Sequence, residues 1–136
     1  MTMRRVIPIV LSGVVGFATV AHAANCSGAV TQMDMNACAA AEFQAADARL
    51  NATYQEVAGR LRGQDDPVRR LAAAERAWVR FRDAECEFET NQVSGGSIAP
   101  MVLAECRTEL TRRREGELRG FLNCREGDVA CPLPPK

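Results

Sequence analysis

Histidine is almost absent from this sequence, whose 136 residues include only His22. Because His22 lies in an N-terminal segment that we expect to be removed, the mature chain should contain no histidine. This loss removes the most frequent general base, the usual partner of a serine or cysteine nucleophile, and the most common metal ligand. We therefore do not expect an enzyme, and we assign no catalytic residues.

The sequence also lacks the patterns of β-strands and zinc sites and an excess of charge of one sign. Aromatic residues make up 5% of the chain, and no long stretch alternates between apolar and polar residues as a half-buried strand would. Closely spaced C-x-x-C pairs, which are typical of zinc sites, do not occur, since the shortest spacing is Cys124 to Cys131. The 17 basic and 17 acidic residues balance. These absences argue against a metal, a cofactor and a nucleic-acid partner.

The N-terminus has the features of a signal peptide. Arg4 and Arg5 precede a largely apolar stretch from Val6 to Val20, and Ala21-His22-Ala23 supplies the small-x-small pattern of a cleavage site. Residues 1–23 are thus predicted to be removed, leaving 113 residues with 15 basic and 17 acidic side chains. We expect one domain of this size, in the periplasm or secreted.

Retention in the membrane is not expected. The apolar stretch is interrupted by Pro8, Ser12 and two glycines, and a stable span needs about 20 apolar residues. Cys26 follows Asn25 and not the small residue expected before a lipid-modified cysteine. The mature chain is therefore predicted to carry neither anchor.

All six cysteines follow the cleavage site, and an even number in an exported chain indicates three disulfides. They are Cys26, Cys38, Cys86, Cys106, Cys124 and Cys131. Gly96 is ten residues from both Cys86 and Cys106. Equidistant positions face one another in an antiparallel hairpin, so this pair is expected to bridge two helices. For the other four we prefer neighbours, Cys26 with Cys38 and Cys124 with Cys131, although crossed pairings stay open.

The mature sequence predicts three helices, because it is rich in Ala, Leu, Arg, Glu and Gln. The first opens at Thr31, with Asp34 as its capping partner, and stops at Gly63. The second begins with Asp66 as cap and Pro67 in its first turn. A break over residues 93–97 separates it from a third helix that has Pro100 in its first turn. Short connections favour an antiparallel three-helix bundle over residues 24–122, followed by a tail, 123–136, with a small disulfide loop.

The spacing of apolar residues predicts which helix faces are buried. In the first helix the stripe is Ala39, Phe43, Ala46, Leu50, Val57 and Leu61; in the second it is Leu71, Ala74, Trp78, Phe81 and Phe88; in the third it is Leu103, Cys106, Leu110, Leu118 and Phe121. Trp78 is interpreted as a core residue, with Arg82 and Asp83 making polar contacts around it.

Two groups of residues resemble a known family. The first group is Thr31-Gln32, Met35-Asn36, Cys38, Ala46-Asp47, Leu50-Asn51 and Tyr54. The second group is Ala77-Trp78, Arg82-Asp83, Glu85-Cys86, the run Gly95-Gly96-Ser97-Ile98-Ala99-Pro100, Cys106 and Thr111. Together they resemble, in the same order, the N-terminal domain family named after the lysozyme inhibitor LprI, over roughly Cys26 to Leu122. The chain departs from the namesake in lacking a lipobox and in adding Cys124 and Cys131.

The resemblance implies an exported helical binding protein that inhibits a lysozyme-type glycosidase. It supplies no catalytic residues. One alternative is a periplasmic structural or adaptor module that binds another envelope protein. A second alternative is an enzyme that uses carboxylates alone, among them Asp83 and Glu85.

If a lysozyme is bound, the connection between the second and third helices is the surface that we expect to meet it. The candidate residues are Ser94, Gly95, Gly96 and Ser97, with Glu85 and Glu89 beside them. Glycines allow a narrow turn, and serine hydroxyls and glycine amides can hydrogen-bond the carboxylates of a glycosidase cleft. The glutamates would attract a cationic enzyme. A plain helix-to-helix connector is the alternative interpretation of the same residues.

Overall fold

A computed structural model describes residues 26–125 and 127–134 of the chain. Three long helices form most of this part, α1 (Gln32–Arg60), α2 (Asp65–Glu89) and α3 (Ala99–Leu122). Single turns of 3₁₀ helix occur at Cys26–Gly28 and Asn91–Val93. The described ranges contain no strand, which confirms the predicted all-α fold. The predicted signal peptide, residues 1–23, lies outside the described residues.

The start of α1 follows from its sequence. The Thr31 hydroxyl accepts a hydrogen bond from the Asp34 amide at 3.1 Å, and the Asp34 carboxylate accepts one from the Thr31 amide, so the predicted capping box is confirmed. After α1, Gly63 adopts a φ of 85°, which suits the turn into α2. The predicted capping role of Asp66 is wrong. Because α2 already begins at Asp65, Asp66 lies in its first turn, where it pairs with arginines one turn on.

Helices α1 and α3 run parallel and pack closely along their lengths, while α2 is antiparallel to both. Small side chains make this close approach possible. The small buried residues of these two helices are Ala39, Ala46 and Thr53 from α1 and Ala104, Thr108 and Thr111 from α3. The Thr108 hydroxyl donates to the Ala104 carbonyl at 2.8 Å, which satisfies one of these polar groups within its own helix.

The apolar core lies toward the end of the bundle where α1 and α3 finish. Its buried residues are Leu50, Val57, Leu61, Leu118 and Leu133, with Trp78, Leu71 and Phe121 packed against them. Leu133 comes from the segment that was predicted to be a tail. Beside it, the Arg60 guanidinium donates to the carbonyl of Pro134 at 2.7 Å. This segment folds back onto the bundle and closes its core.

Helix α2 contacts its neighbours chiefly through long side chains. Arg82 is only 6% exposed, and its guanidinium lies 5.0 Å from the ring centre of Phe43 and 5.3 Å from that of Trp78. It donates to the carboxylates of Asp47 at 3.2 Å and Asp83 at 3.0 Å. Trp78 therefore packs against the core as predicted, but the most deeply placed residue of this group is the arginine.

The predicted buried stripe of α2 is partly wrong. Phe81 is 54% exposed, Phe88 is 78% exposed, and Ala74 also faces solvent. The buried residues of the helix are instead Arg82 and Cys86. Because Arg82 has aromatic and acidic partners on both sides, and Cys86 is bonded to α3, the helix turns these two residues inward and leaves Phe81 and Phe88 outside.

Three disulfides join the pairs preferred from the sequence. Cys26 bonds to Cys38, Cys86 to Cys106, and Cys124 to Cys131. The second connects α2 to α3, and its Cys86 is fully buried. The first fixes the arm before α1 onto that helix, and the third closes a small loop after α3. None of the helices in the described ranges is long and apolar enough to cross a membrane.

Candidate functional site

The connection between α2 and α3 is a compact, internally bonded turn. The Ser94 amide donates to the Asn91 carbonyl at 3.2 Å, and the Gly96 amide donates to the Val93 carbonyl at 3.0 Å. Gly95 has a φ of 80°, a conformation that residues with a side chain rarely adopt. A Cβ atom at Gly96 would lie 3.1 Å from the Val93 carbonyl oxygen. The shape of the turn therefore requires glycine at position 95, and a side chain at position 96 would crowd the Val93 carbonyl.

Two attachments hold this turn in place. The Asn36 side chain on α1 donates to the Ser97 carbonyl at 3.0 Å, and Gln32 donates to the Asn36 side-chain oxygen at 2.8 Å. The Cys86–Cys106 disulfide joins the helices on either side of the turn. The loop is thus bound to all three helices, which limits the conformations that it can adopt.

The four predicted loop residues are all exposed. Among the described residues, the hydroxyls of Ser94 and Ser97 have no hydrogen-bond partner, and neither do the amides of Gly95 and Ser97. The Gly96 amide is used within the turn, so it is not available to a partner as the sequence had suggested. Two hydroxyls and two amides remain as donors on the surface of the loop.

The two predicted glutamates lie in the last two turns of α2, immediately before the loop. Glu89 is the last residue of the helix and is exposed, and Glu85, one turn earlier, is half-buried. Within the described part of the chain, neither carboxylate forms an ion pair. The end of α2 that leads into the loop therefore carries two carboxylates that have no ion-pair partner among the described residues.

Sequence reasoning missed the apolar residues at this end of the bundle. Met33 is 77% exposed one turn before Asn36, and Ile98 is 38% exposed directly after the loop. Because Asn36 bonds to the carbonyl of Ser97, these residues belong to the same end. The place of Met33 in the first turn of α1 could have been inferred from the capping box, but the contact between Asn36 and the loop, which brings Met33 and Ile98 to the same end, has no signal in the sequence.

The ionisable groups with shifted pKa values lie elsewhere and serve structural ion pairs. A hydrogen bond from Arg70 lowers the pKa of Asp66, and a hydrogen bond from Arg119 lowers that of Glu115. Among the described residues, the side chains of Cys26, Cys38 and Glu42 lie close enough to one another to hold a metal ion, but the two sulfurs are joined in a disulfide. That group therefore offers a metal only one carboxylate. The chemistry available at the loop is hydrogen bonding and charge attraction.

Comparison with known proteins shows the family to which the chain belongs. The family model described as lysozyme inhibitor LprI matches residues 23–118. An uncharacterized protein of Rhizobium meliloti (strain 1021) is 37% identical over 113 residues, which cover 75% of this chain and 81% of the relative. No solved structure matches the chain. The chain belongs to the LprI lysozyme inhibitor family.

Proposed function

We propose that this protein is exported, binds a lysozyme-type glycosidase, and inhibits it with the loop end of the bundle. Membership of the LprI family is the observation that carries this proposal, because the family is named for lysozyme inhibition. Three disulfides fit an oxidising compartment such as the periplasm or the exterior. The signal peptide predicted over residues 1–23 supplies the route of export.

The attachments of the loop suit it for binding. A segment already held in one conformation loses little conformational entropy when a partner binds it. Here the Cys86–Cys106 disulfide and the bond from Asn36 to Ser97 provide that restriction. Because Gly95 and Gly96 have no side chains, the tip of the turn is narrow enough to enter a cleft.

The chemistry of the loop complements that of a glycosidase. Such enzymes hold a pair of carboxyl groups beside the scissile bond. The hydroxyls of Ser94 and Ser97 and the free amides can donate hydrogen bonds to a carboxylate, and bonds to a charged acceptor are stronger than neutral ones. Glu85 and Glu89 would draw a cationic enzyme toward this end, and the exposed Met33 would add apolar contact.

A bulky side chain in the loop tests this assignment. We expect Ser94→Trp and Ser97→Trp to raise the inhibition constant for lysozyme-catalysed cell-wall hydrolysis by at least tenfold, about 1.4 kcal/mol. Gln55→Trp, on an exposed part of α1, is the matched control and should leave inhibition unchanged. Circular dichroism verifies the fold of each variant. If both loop variants inhibit as well as the control does, the loop is only a connector and the binding face lies elsewhere.

A further inference from the structure

The outer face of α2 carries an apolar stripe that nothing in the described chain covers. Its residues, spaced by three or four positions, are Ala74, Ala77, Phe81, Ala84 and Phe88, and all five are exposed. Phe81 and Phe88 alone expose 54% and 78% of their surface. Because the domain has few aromatic residues, two exposed phenylalanines on one helix face form a large apolar patch for it, and such patches mark interaction surfaces.

We propose that a second copy of the chain covers this stripe, with the two α2 helices packed antiparallel about a two-fold axis between Arg82 and Asp83. In that register Phe81 lies against Ala84 of the partner subunit, and Phe88 lies against Ala77 of the partner subunit. The symmetry repeats both contacts. Each large side chain then meets a small one, which is how antiparallel helices interdigitate.

The charges beside the stripe fit the same register. Arg80 and Glu87 lie on the same flank of the stripe. In an antiparallel helix pair, this flank of one helix lies beside the same flank of the partner helix. Arg80 would therefore face Glu87 of the partner subunit, and symmetry gives two such pairs. Within the described residues Arg80 has no ion pair, and Glu87 has only a long contact of 3.9 Å with Arg107. The stripe is thus complementary to itself in both size and charge.

The proposed dimer leaves the loop of the inhibitory surface accessible. Residues 94–97 lie beyond the central contact, so the two loops would be found toward opposite ends of the dimer. A single helix pair is a small interface, and we expect a dissociation constant of about micromolar order. The dimer rests on the surface of α2 alone and is independent of the proposed inhibition of lysozyme.

Sedimentation equilibrium of the chain from Ala24, with its disulfides formed, tests the proposal. The protein should dimerise reversibly, and Ala84→Glu should weaken dimerisation at least a hundredfold, because it puts a longer, charged side chain where a methyl group packs against Phe81 of the partner subunit. Arg80→Glu and Glu87→Arg should each weaken it about tenfold by opposing like charges across the axis. A mixture of these two variants should recover dimers, since their heterodimer restores both ion pairs.

Arg76→Glu provides the matched control. Arg76 is also exposed on α2 without an ion pair in the described ranges, but it lies away from the stripe, so its reversal should leave the dimer intact. Circular dichroism checks that each variant is folded. A chain that stays monomeric at every attainable concentration, a dimer unaffected by Ala84→Glu, or a mixture of charge variants that gains no dimer would overturn the proposal.

Discussion

Arg82 gives the clearest case of one residue that determines how a helix is oriented. Burying a guanidinium is costly unless its charge and its N–H groups find partners. Here two aromatic rings cover it, and Asp47, Asp83 and the Thr111 hydroxyl accept its hydrogen bonds. Because these acceptors come from all three helices, the arginine joins α1 and α3 to α2.

Replacing Arg82 should therefore cost more than replacing another arginine of the same helix. We expect Arg82→Met to lower the free energy of unfolding by about 2–3 kcal/mol, since the ring contacts and charged hydrogen bonds are lost. Arg76→Met, at an exposed position, should change it by no more than about 0.5 kcal/mol. Urea unfolding monitored by circular dichroism measures both. Equal costs would show that the ring contacts and hydrogen bonds of Arg82 add nothing to stability.

Glu115 should make stability depend on pH in the acid range. Its carboxylate accepts hydrogen bonds from Arg119 and, at 3.3 Å, from the Thr53 hydroxyl, and the bond from Arg119 is the main cause of its lowered pKa. A pKa that is lower in the folded state stabilises the fold above the unfolded value of about 4.5. That stabilisation is lost as the pH falls through the folded value.

Urea unfolding of Glu115→Gln between neutral and acid pH tests this expectation. The variant should be less stable than the parent near neutrality, and the difference should shrink as the pH falls below the unfolded value of about 4.5. Glu105→Gln is the control, because Glu105 is exposed and has no ion pair within the described ranges. A difference from the parent that stays constant with pH would contradict the role given to the ion pair.

Among the connections between elements, the Cys86–Cys106 disulfide should contribute most to stability. It spans 20 residues, compared with 7 for Cys124–Cys131. Loop-closure entropy then gives about 3.3 kcal/mol for the longer span and about 2.4 kcal/mol for the shorter one. Replacing each pair with alanines and comparing the free energies of unfolding should give this order. The opposite order would mean that the disulfide of the small C-terminal loop contributes more to the free energy of unfolding.

The starts of α1 and α3 could be predicted because local chemistry sets them. Thr31 with Asp34 opens α1, and Pro100 lies in the first turn of α3 as expected. The equal spacing of Cys86 and Cys106 from Gly96 likewise predicts the hairpin that α2 and α3 form. The direction in which α2 faces could not be predicted, since the apolar period alone favoured Phe81. Its true orientation depends on partners of Arg82 that are distant in sequence.

The candidate site could be predicted only in part for a similar reason. A glycine pair between two helices signals a turn, so the loop residues could be identified from the sequence. The attachment of that loop to α1 through Asn36, and the exposed Met33 beside it, depend on the parallel packing of α1 and α3. Such long-range placement leaves no local pattern.

At the level of the whole molecule, the C-terminal segment is part of the folded domain. Leu133 is 6% exposed in the core, so Leu133→Ala should lower the free energy of unfolding by about 2–4 kcal/mol. Val129→Ala, in the same segment but fully exposed, should have little effect. Urea unfolding of the two variants makes the comparison. If both are as stable as the parent, the segment is a tail that does not contribute to the core.

One titration tests most directly whether the whole protein inhibits a lysozyme-type enzyme, as we propose. Purified chain from Ala24, with its disulfides intact, is added in increasing amounts to a fixed concentration of each lysozyme in a panel, and the rate of cell-wall hydrolysis is followed. We expect the rate for at least one lysozyme to fall to near zero as the protein approaches and exceeds molar equivalence. Rates that stay unchanged at large excess for the whole panel would contradict inhibition and favour an adaptor that binds another envelope protein.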